Sequence, residues 1–302
     1  MTSRRALVTL VALLCASSGV LTQQTIQPYL WQAGMARSEV GEINVFRRFP
    51  TEQRRQVEEF YAGALALQAL PATAPGGGQM IRYPVGPSEV KLFPTEMGPS
   101  NTAAAGDVLG MRLLTFFFAD EAALTKRFLD RGLPALRFQP STAHPGATRA
   151  ALVQDPAGHW VELVIVPKAS ADLLARFEIG LAVADLTRSR GFYRDVMGLT
   201  ALEPLQDPLL GATMYGFRHG SVTLRLWAGK AGASADTQTG GMQYIVWDVA
   251  GVNDVAVARG ARIDRPLSAP GQMRTVWLLD PDGINNYFAQ YGGNNNTAPK
   301  SR

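Results

Sequence analysis

Glu162 and Tyr287 hold the same place in a stretch that the chain writes twice. GATRAALVQDPAGHWVELVIVP runs from Gly146 to Pro167, and GQMRTVWLLDPDGINNYFAQY runs from Gly271 to Tyr291. Each copy has a Gly three residues before an Arg (Gly146 and Arg149, Gly271 and Arg274), then an apolar run, an Asp-Pro-x-Gly and a second run. Asp-Pro-x-Gly between apolar runs is a tight hairpin, because Pro fixes φ for the turn and Gly accepts a positive φ. Asp155 and Asp280 are read as turn formers, and Arg149 and Arg274 as braces for the loop before each hairpin. The residue seven beyond each Asp lies mid-strand, where alternation turns its side chain to one chosen face. That residue is Glu162 in one copy, a carboxylate able to take a proton from a substrate, and Tyr287 in the other.

Metal chemistry has little to work with. A non-haem Fe(II) site wants two His and a carboxylate, and a zinc site wants imidazole, thiolate or carboxylate in fixed geometry. The chain has three His and one Cys. His144 stands in a Pro-rich loop, His159 at a hairpin edge and His219 before Gly220, and all three are read as solvated loop residues rather than ligands.

The elements that position these groups come from pattern. A chain of 302 residues with 46% hydrophobic content buries a good core and has the length of two domains. MTSRRALVTLVALLCASSGV places Arg4 and Arg5 before an apolar run from Ala6 to Ala16, as in a secretory leader over residues 1–22 that directs the chain to the periplasm or outside the cell. The run is too short for a comfortable membrane span. Cleavage removes Cys15 and leaves a thiol-free chain suited to an oxidising compartment; a lipid-anchoring Cys15 is the rival reading. Arg4 and Arg5 leave with the leader, so the net charge falls from +4 to about +2. The basic residues form no stripe, which argues against nucleic-acid binding.

From residue 40 the order is strand (EINVF), helix with Val57, Phe60 and Tyr61 on one face, strands near Met80 to Val85 and Val90 to Pro94, and a strand from Met111 to Phe118. Asp120 caps a helix carrying Leu124 and Phe128, Gly132 ends it, and the first hairpin follows. After Lys168 to Ala175 the order returns: EIGLAV, a helix with Phe192 and Tyr193, strands at Thr213 to Phe217 and Val222 to Trp227, then MQYIVW, a helix ending at Arg259, and the second hairpin. Four strand-helix-strand-strand-strand units thus form two pairs, at residues 40–167 and 175–291. The tail, residues 292–302, is expected to be disordered.

EIGLAVADLTRSRGFYRDVMGL and LLDPDGINNYF resemble the opening strand and helix and the closing hairpin of the vicinal oxygen chelate superfamily, which includes glyoxalases, extradiol dioxygenases and bleomycin-resistance proteins. The resemblance implies an α+β fold of four βαβββ modules, paired in sequence order into two half-open β-barrels whose concave faces hold the ligand. It also implies that metal-dependent members draw up to four ligands from the opening and last strands. The opening-strand positions here fall at Glu42, near Leu113, at Glu178 and near Gly241, and the last-strand positions at Lys91, Glu162, Arg225 and Tyr287. Almost none of these makes a good metal set. No cofactor is expected; the alternative is a divalent metal, Mg²⁺ or Mn²⁺, on Glu42 and Glu162, against the repulsion of Lys91.

The physical reading is that fixed cations take the ion's place, Lys91 facing Glu42 or Glu162 in the first barrel and Arg225 facing Glu178 in the second. The competing reading leaves Lys91 and Arg225 on a solvated side. Trp227, Trp247, Trp277, Tyr215, Phe217 and Tyr287 line a planar-ligand pocket or belong to the core. Three functions follow. One is a secreted, metal-free binding protein for a small organic molecule, with Glu42, Tyr287 and Trp227 at the ligand. Another is a lyase or isomerase in which Glu162 or Glu178 is the general base and Lys91 or Arg225 steadies an oxyanion, with a metal-dependent enzyme resembling glyoxalase or a dioxygenase as its variant. The last is a rigid scaffold. The partner is a small molecule rather than nucleic acid or membrane, and the chain is a monomer or homodimer.

Overall fold

Alternation along the strands and side-chain caps at the helix starts set the local structure. The computed structural model describes residues 43–71, 80–96, 104–246, 248–269, 271 and 273–291, so the leader, Glu42, Trp247 and the tail lie outside the described residues. The first module has β1 (Asn44–Pro50), α1 (Arg54–Glu58) continued by a wider turn over Glu59–Ala64, β2 (Ile81–Val85) and β3 (Ser88–Thr95). The second has β4 (Leu109–Phe118), α2 (Glu121–Asp130), a short β5 (Gln139–Pro140), β6 (Arg149–Gln154) and β7 (Trp160–Ile165). After α3 (Ala171–Leu174), the third has β8 (Phe177–Val183), α4 (Leu186–Gly191) with its wider turn over Phe192–Val196, β9 (Thr200–Ala201), β10 (Leu205–Asp207), β11 (Ala212–His219) and β12 (Val222–Ala228). Following β13 (Ala235–Asp236), the fourth has β14 (Gly240–Ile245), α5 (Val249–Ala258), β15 (Arg262–Arg265), β16 (Met273–Leu279) and β17 (Asn285–Tyr291). Asp120, Asp185 and Asp248 each accept a bond from a backbone N–H three residues on, at 2.9, 3.0 and 3.0 Å, which satisfies a helix-start donor that would otherwise be orphaned.

The modules do not pair in sequence order. One sheet runs β15-β16-β17-β14-β1-β3-β2 and the other β10-β11-β12-β8-β4-β7-β6-β5, with β9 added on β11 and β13 on β4 to make ten strands. The first module therefore shares a sheet with the fourth, through antiparallel β1 and β14 (Asn44 opposite Gln243), and the second with the third, through β4 and β8 (Thr115 opposite Glu178). The expected grouping of residues 40–167 and 175–291 is cut across by this pairing. An opening strand has one edge filled by the last strand of its own module and needs a partner for the other. Each finds the opening strand of another module, and nothing local in the sequence says which.

Alternation gives every long strand two unlike faces. In the seven-stranded sheet Val45, Tyr83, Val90, Met242, Tyr244, Val276, Leu278 and Phe288 are fully buried, and in the ten-stranded sheet so are Leu114, Val161, Leu163, Phe177, Ile179, Leu181, Val222, Leu224 and Leu226. These residues join Val57, Phe60, Leu124, Phe128, Tyr193, Val249 and Val252 from the helices in one core cluster. Arg47 sits on this apolar side of β1, where its Nη2 donates to the carbonyl of Trp160 at 3.2 Å and ties one sheet to the other. The opposite faces, turned away from the helices, carry the polar groups.

Candidate functional site

On the ten-stranded sheet, the polar face is a closed cluster. Register sets Thr115 of β4 beside Glu162 of β7 on one side and Glu178 of β8 on the other. Thr115 Oγ1 donates to Glu162 Oε2 at 2.8 Å. Arg225 of β12 grips Glu178 with two bonds, Nε to Oε2 at 2.7 Å and Nη2 to Oε1 at 2.9 Å, a fork-on-carboxylate geometry that makes a strong charge-assisted pair. Room for the guanidinium comes from Gly216 on β11, where a Cβ would lie 2.6 Å from Arg225 Nη1. His144 reaches in from the loop before β6, with Nε2 3.8 Å from Glu162 Oε2 and Nδ1 3.9 Å from Glu178 Oε2. These separations are ion-pair contacts, longer than hydrogen bonds.

Electrostatics follows from this packing. Burial works against a charged His144, yet the facing carboxylates of Glu162 and Glu178 outweigh it and raise its pKa. Two carboxylates thus face an imidazole ring and a guanidinium. Asp207 of β10 closes the cluster, and burial, together with the charge of Glu162, pushes its carboxyl up to about 6. Exposure is 1% at Glu162, 2% at Asp207, 5% at His144 and 8% at Glu178 and Arg225, so solvent is shut out. Glu162 Oε1, His144 Nε2 and Asp207 Oδ2 are buried with no hydrogen-bond partner in the protein. Trp227, two residues along β12 from Arg225, is 2% exposed and packs with Leu113, Ala182 and Met214.

On the seven-stranded sheet, the polar face is more open. Asn44 and Phe46 of β1, Glu89, Lys91 and Phe93 of β3, Arg82 of β2, Gln243 of β14, Trp277 of β16 and Tyr287 of β17 all fall on it, since each is in register with another of the set or two residues along from one. Lys91 is 9% exposed and donates to Gln243 Oε1. Its nearest carboxylate oxygen is Glu89 Oε2 at 3.6 Å, on a group already held by Arg82 through bonds of 2.9 and 2.6 Å. Burial lowers the Lys91 pKa, against the attraction of Glu89. Tyr287 stacks on Trp277 (centroids 4.5 Å apart, planes at 15°) and lies 6.2 Å from the Phe46 ring, and the Arg265 guanidinium sits 4.4 Å over Trp277. Phe46 in turn lies over Gly241, where a Cβ would come 2.3 Å from its Cζ.

Placed on this geometry, the sequence expectations divide. Arg225 does face Glu178. Lys91 and Glu162 lie in different sheets, so their expected pairing fails, because it assumed that modules pair consecutively. Glu42 is outside the described residues, and the opening-strand place of the first module is held by Asn44. Thr115 and Gln243 hold those places in the second and fourth modules, two residues beyond Leu113 and Gly241. His144 and His159 are not solvated: both are buried, and the His159 ring bonds the Arg48 carbonyl at 2.7 Å while burial pushes its pKa down to about 4. His219 is half-buried with its ring 6.2 Å from Tyr244. Arg149 and Arg274 do brace loops, through Phe138 O at 2.8 Å and Ser268 O at 3.2 Å. Tyr215 and Phe217 pack on the core. His144 carried one signal in the sequence, since its counterpart in the second copy of the repeat is Ala269.

Neither face offers a good donor set for the divalent ion that many proteins of this fold hold. An ammonium, two carboxamides, a phenol and a Glu89 carboxylate already held by Arg82 line one; in the other, Arg225 already occupies the carboxylate of Glu178. Among the described residues no three His, Cys, Asp or Glu side chains are disposed to hold a metal ion. A groove of about 320 Å³ lined by Arg55, Glu58, Glu59, Ala62 and Gly63 lies on the outer side of α1.

The profile of the Glyoxalase/Bleomycin resistance protein/Dioxygenase superfamily matches residues 175–288. Glyoxalase I from Zea mays is similar in structure at 18% identity, over 82% of this chain and 91% of its own, with a TM-score of 0.60. A putative dioxygenase from Bacillus subtilis is similar at 14% identity, over 85% and 86% of the two chains, with a TM-score of 0.61. At such identities the likeness is one of fold. No protein of curated function matches the chain.

Proposed function

We propose that the chain, whose residues 175–288 match the Glyoxalase/Bleomycin resistance protein/Dioxygenase superfamily and whose other modules repeat that fold, is a metal-free protein that binds a small organic molecule on the Lys91 face. The observation that supports this is a contrast between the two faces. Around Glu162 and Glu178 the strand carboxylates face the Arg225 guanidinium and the His144 ring and are almost wholly buried. Around Lys91 a buried ammonium is matched only by a carboxamide and by a carboxylate that Arg82 already holds, beside half-buried Phe46, Trp277 and Tyr287. A desolvated charge with so little compensation is costly in the free protein and is relieved by a partner of opposite sign. Fold alone would not choose a chemistry.

Secretion belongs to the same reading. Arg4, Arg5 and the apolar run to Ala16 support a leader, and among the described residues no helix is long and apolar enough to cross a membrane. The test is calorimetric titration of the mature protein with a panel of small aromatic and aliphatic compounds, with and without EDTA. Binding unchanged by EDTA and lost in Trp277→Ala fits the proposal; binding that requires an added divalent ion ends the metal-free part.

A second reading has its own support. Glu162 has an unpartnered Oε1, while its Oε2 lies 3.8 Å from His144 Nε2, so it is a carboxylate with a spare acceptor beside an imidazole ring, as a lyase or isomerase base would be. Turnover of a bound compound that is lost in Glu162→Gln would favour it over binding alone.

A further inference from the structure

The polarity of one hydrogen-bond chain fixes what the Lys91 face asks of its ligand. The backbone N–H of Glu89 donates to Asn44 Oδ1 at 2.8 Å, so the amide nitrogen of Asn44 points the other way and donates to Gln243 Oε1 at 3.1 Å. Lys91 also donates to Gln243 Oε1. An ammonium has no acceptor, so that atom of Gln243 can only be the oxygen, and its NH₂ must face the tyrosines. Gln243 Nε2 donates to the hydroxyl oxygens of both Tyr287 and Tyr291, the latter at 3.2 Å. Each phenol oxygen is therefore already an acceptor, and its own proton is left to donate elsewhere. Burial raises the Tyr287 pKa, which keeps that proton in place across the ordinary pH range.

We propose, resting on the reading of this face as a ligand site, that it takes a planar aromatic carboxylate, with the Lys91 ammonium and the Tyr287 and Tyr291 hydroxyls as donors to the oxygens and the Trp277–Tyr287 stack beside the ring. The charge inventory agrees. Arg82 and Glu89 cancel one another, Lys91 remains, and Arg265 over Trp277 adds a second cation at the rim. The groups that converge here are three donors of one kind of need, set by a relay that begins at a backbone N–H and cannot be turned round without leaving Lys91 facing an amide NH₂. A neutral carboxamide of the same shape brings donors of its own and no charge, so it is the ligand that this arrangement rejects.

The test uses 2-naphthoate and its uncharged isostere 2-naphthamide, titrated by calorimetry into the mature full-length protein and into Lys91→Met, Lys91→Arg and Trp277→Leu, with thermal melts to establish that each variant folds. Expected are binding of 2-naphthoate at least tenfold tighter than of 2-naphthamide, at least a tenfold loss for 2-naphthoate alone in Lys91→Met, retention in Lys91→Arg, and loss of both ligands together in Trp277→Leu. Equal affinity for the two ligands, or 2-naphthoate binding untouched by Lys91→Met in a folded variant, overturns the carboxylate inference while leaving the face a ligand site. Failure of both ligands to bind the unsubstituted protein overturns the inference, and failure of the wider compound panel overturns the parent reading.

Discussion

The Tyr193 hydroxyl donates to Asp280 Oδ2 across 2.8 Å, and so a residue at the end of α4 in the third module holds the hairpin turn of the fourth. The two belong to different sheets. Tyr61 repeats the bond with Asp155, again at 2.8 Å and again from one sheet's module to the other's. Strand pairing thus joins the first module to the fourth and the second to the third, while these two phenols join first to second and third to fourth. Every module is tied to two others, by a sheet and by a buried hydroxyl, and both conserve the same turn, in which each Asp also accepts backbone N–H bonds from the residues two and four beyond it.

Tyr193→Phe removes the donor and leaves Asp280 Oδ2 buried with one partner fewer. The expected cost is about 1–3 kcal/mol, the penalty of stranding a buried acceptor of a charged group. Urea unfolding followed by tryptophan fluorescence and by circular dichroism would measure it. Tyr61→Phe should cost a similar amount, and a loss below about 0.5 kcal/mol in both variants would mean that the cross-sheet bonds hold little.

Asp280 also makes stability depend on pH. Burial pushes its carboxyl up to about 6, above the ordinary value of an unfolded Asp. The folded state therefore binds the proton more tightly, so this group's contribution is full below about pH 4 and is lost as pH rises through about 6. Asp280→Asn cannot ionise and keeps an oxygen for the turn. The difference in unfolding free energy, native minus Asp280→Asn, should fall between pH 4 and 7 by up to about 3 kcal/mol, two pK units at about 1.4 kcal/mol each. Asp207, whose carboxyl is also raised to about 6, titrates in both proteins and cancels in that difference.

What the sequence made legible was local. The hairpin repeat, the Asp120 cap and the alternation along each strand follow from spacings of a few residues, whereas the face taken by Lys91 and Arg225 was open between two readings. Asn44, Thr115 and Gln243 lie two residues beyond Glu42, Leu113 and Gly241, so strand parity was right and register was not. The module partners were out of reach, because Asn44 and Gln243 stand 199 residues apart and four similar strand edges compete for one another. His144 was missed for a related reason: only the curl of the sheet brings a loop side chain between Glu162 and Glu178, and no spacing in the chain encodes that approach. The relay through Gln243 was invisible too, since its direction depends on which atoms meet across four strands.

Arg225 and Glu178 should prove unequal partners. Removing one member of a buried pair costs about 3–5 kcal/mol when the other is left uncompensated. Arg225→Met leaves Glu178 still facing His144 at 3.9 Å, whereas Glu178→Leu leaves the Arg225 guanidinium with neither of its two bonds. Glu178→Leu is therefore expected to be the more destabilising, and the double variant to recover at least 1–2 kcal/mol relative to the sum. Chemical denaturation of the four proteins in the cycle decides it. Equal single losses with no coupling would show that the fork contributes no more than its packing.

Gly241 is the place where the open face meets its floor. A methyl group there would lie 2.3 Å from Phe46 Cζ and 3.1 Å from the Asn285 carbonyl oxygen. The ring can swing away but the backbone of β17 cannot, so Gly241→Ala should cost about 1–3 kcal/mol by overpacking, chiefly by expelling Phe46 from its position 6.2 Å from Tyr287. If the ring is the main obstacle, the double variant Gly241→Ala with Phe46→Ala should lose less stability than the sum of the two single losses. Calorimetric affinity for a bound aromatic ligand should fall in Gly241→Ala and in Phe46→Ala alike, since both take the same ring from the wall. A double variant that loses the full sum of the two single losses would place the conflict at the Asn285 carbonyl instead.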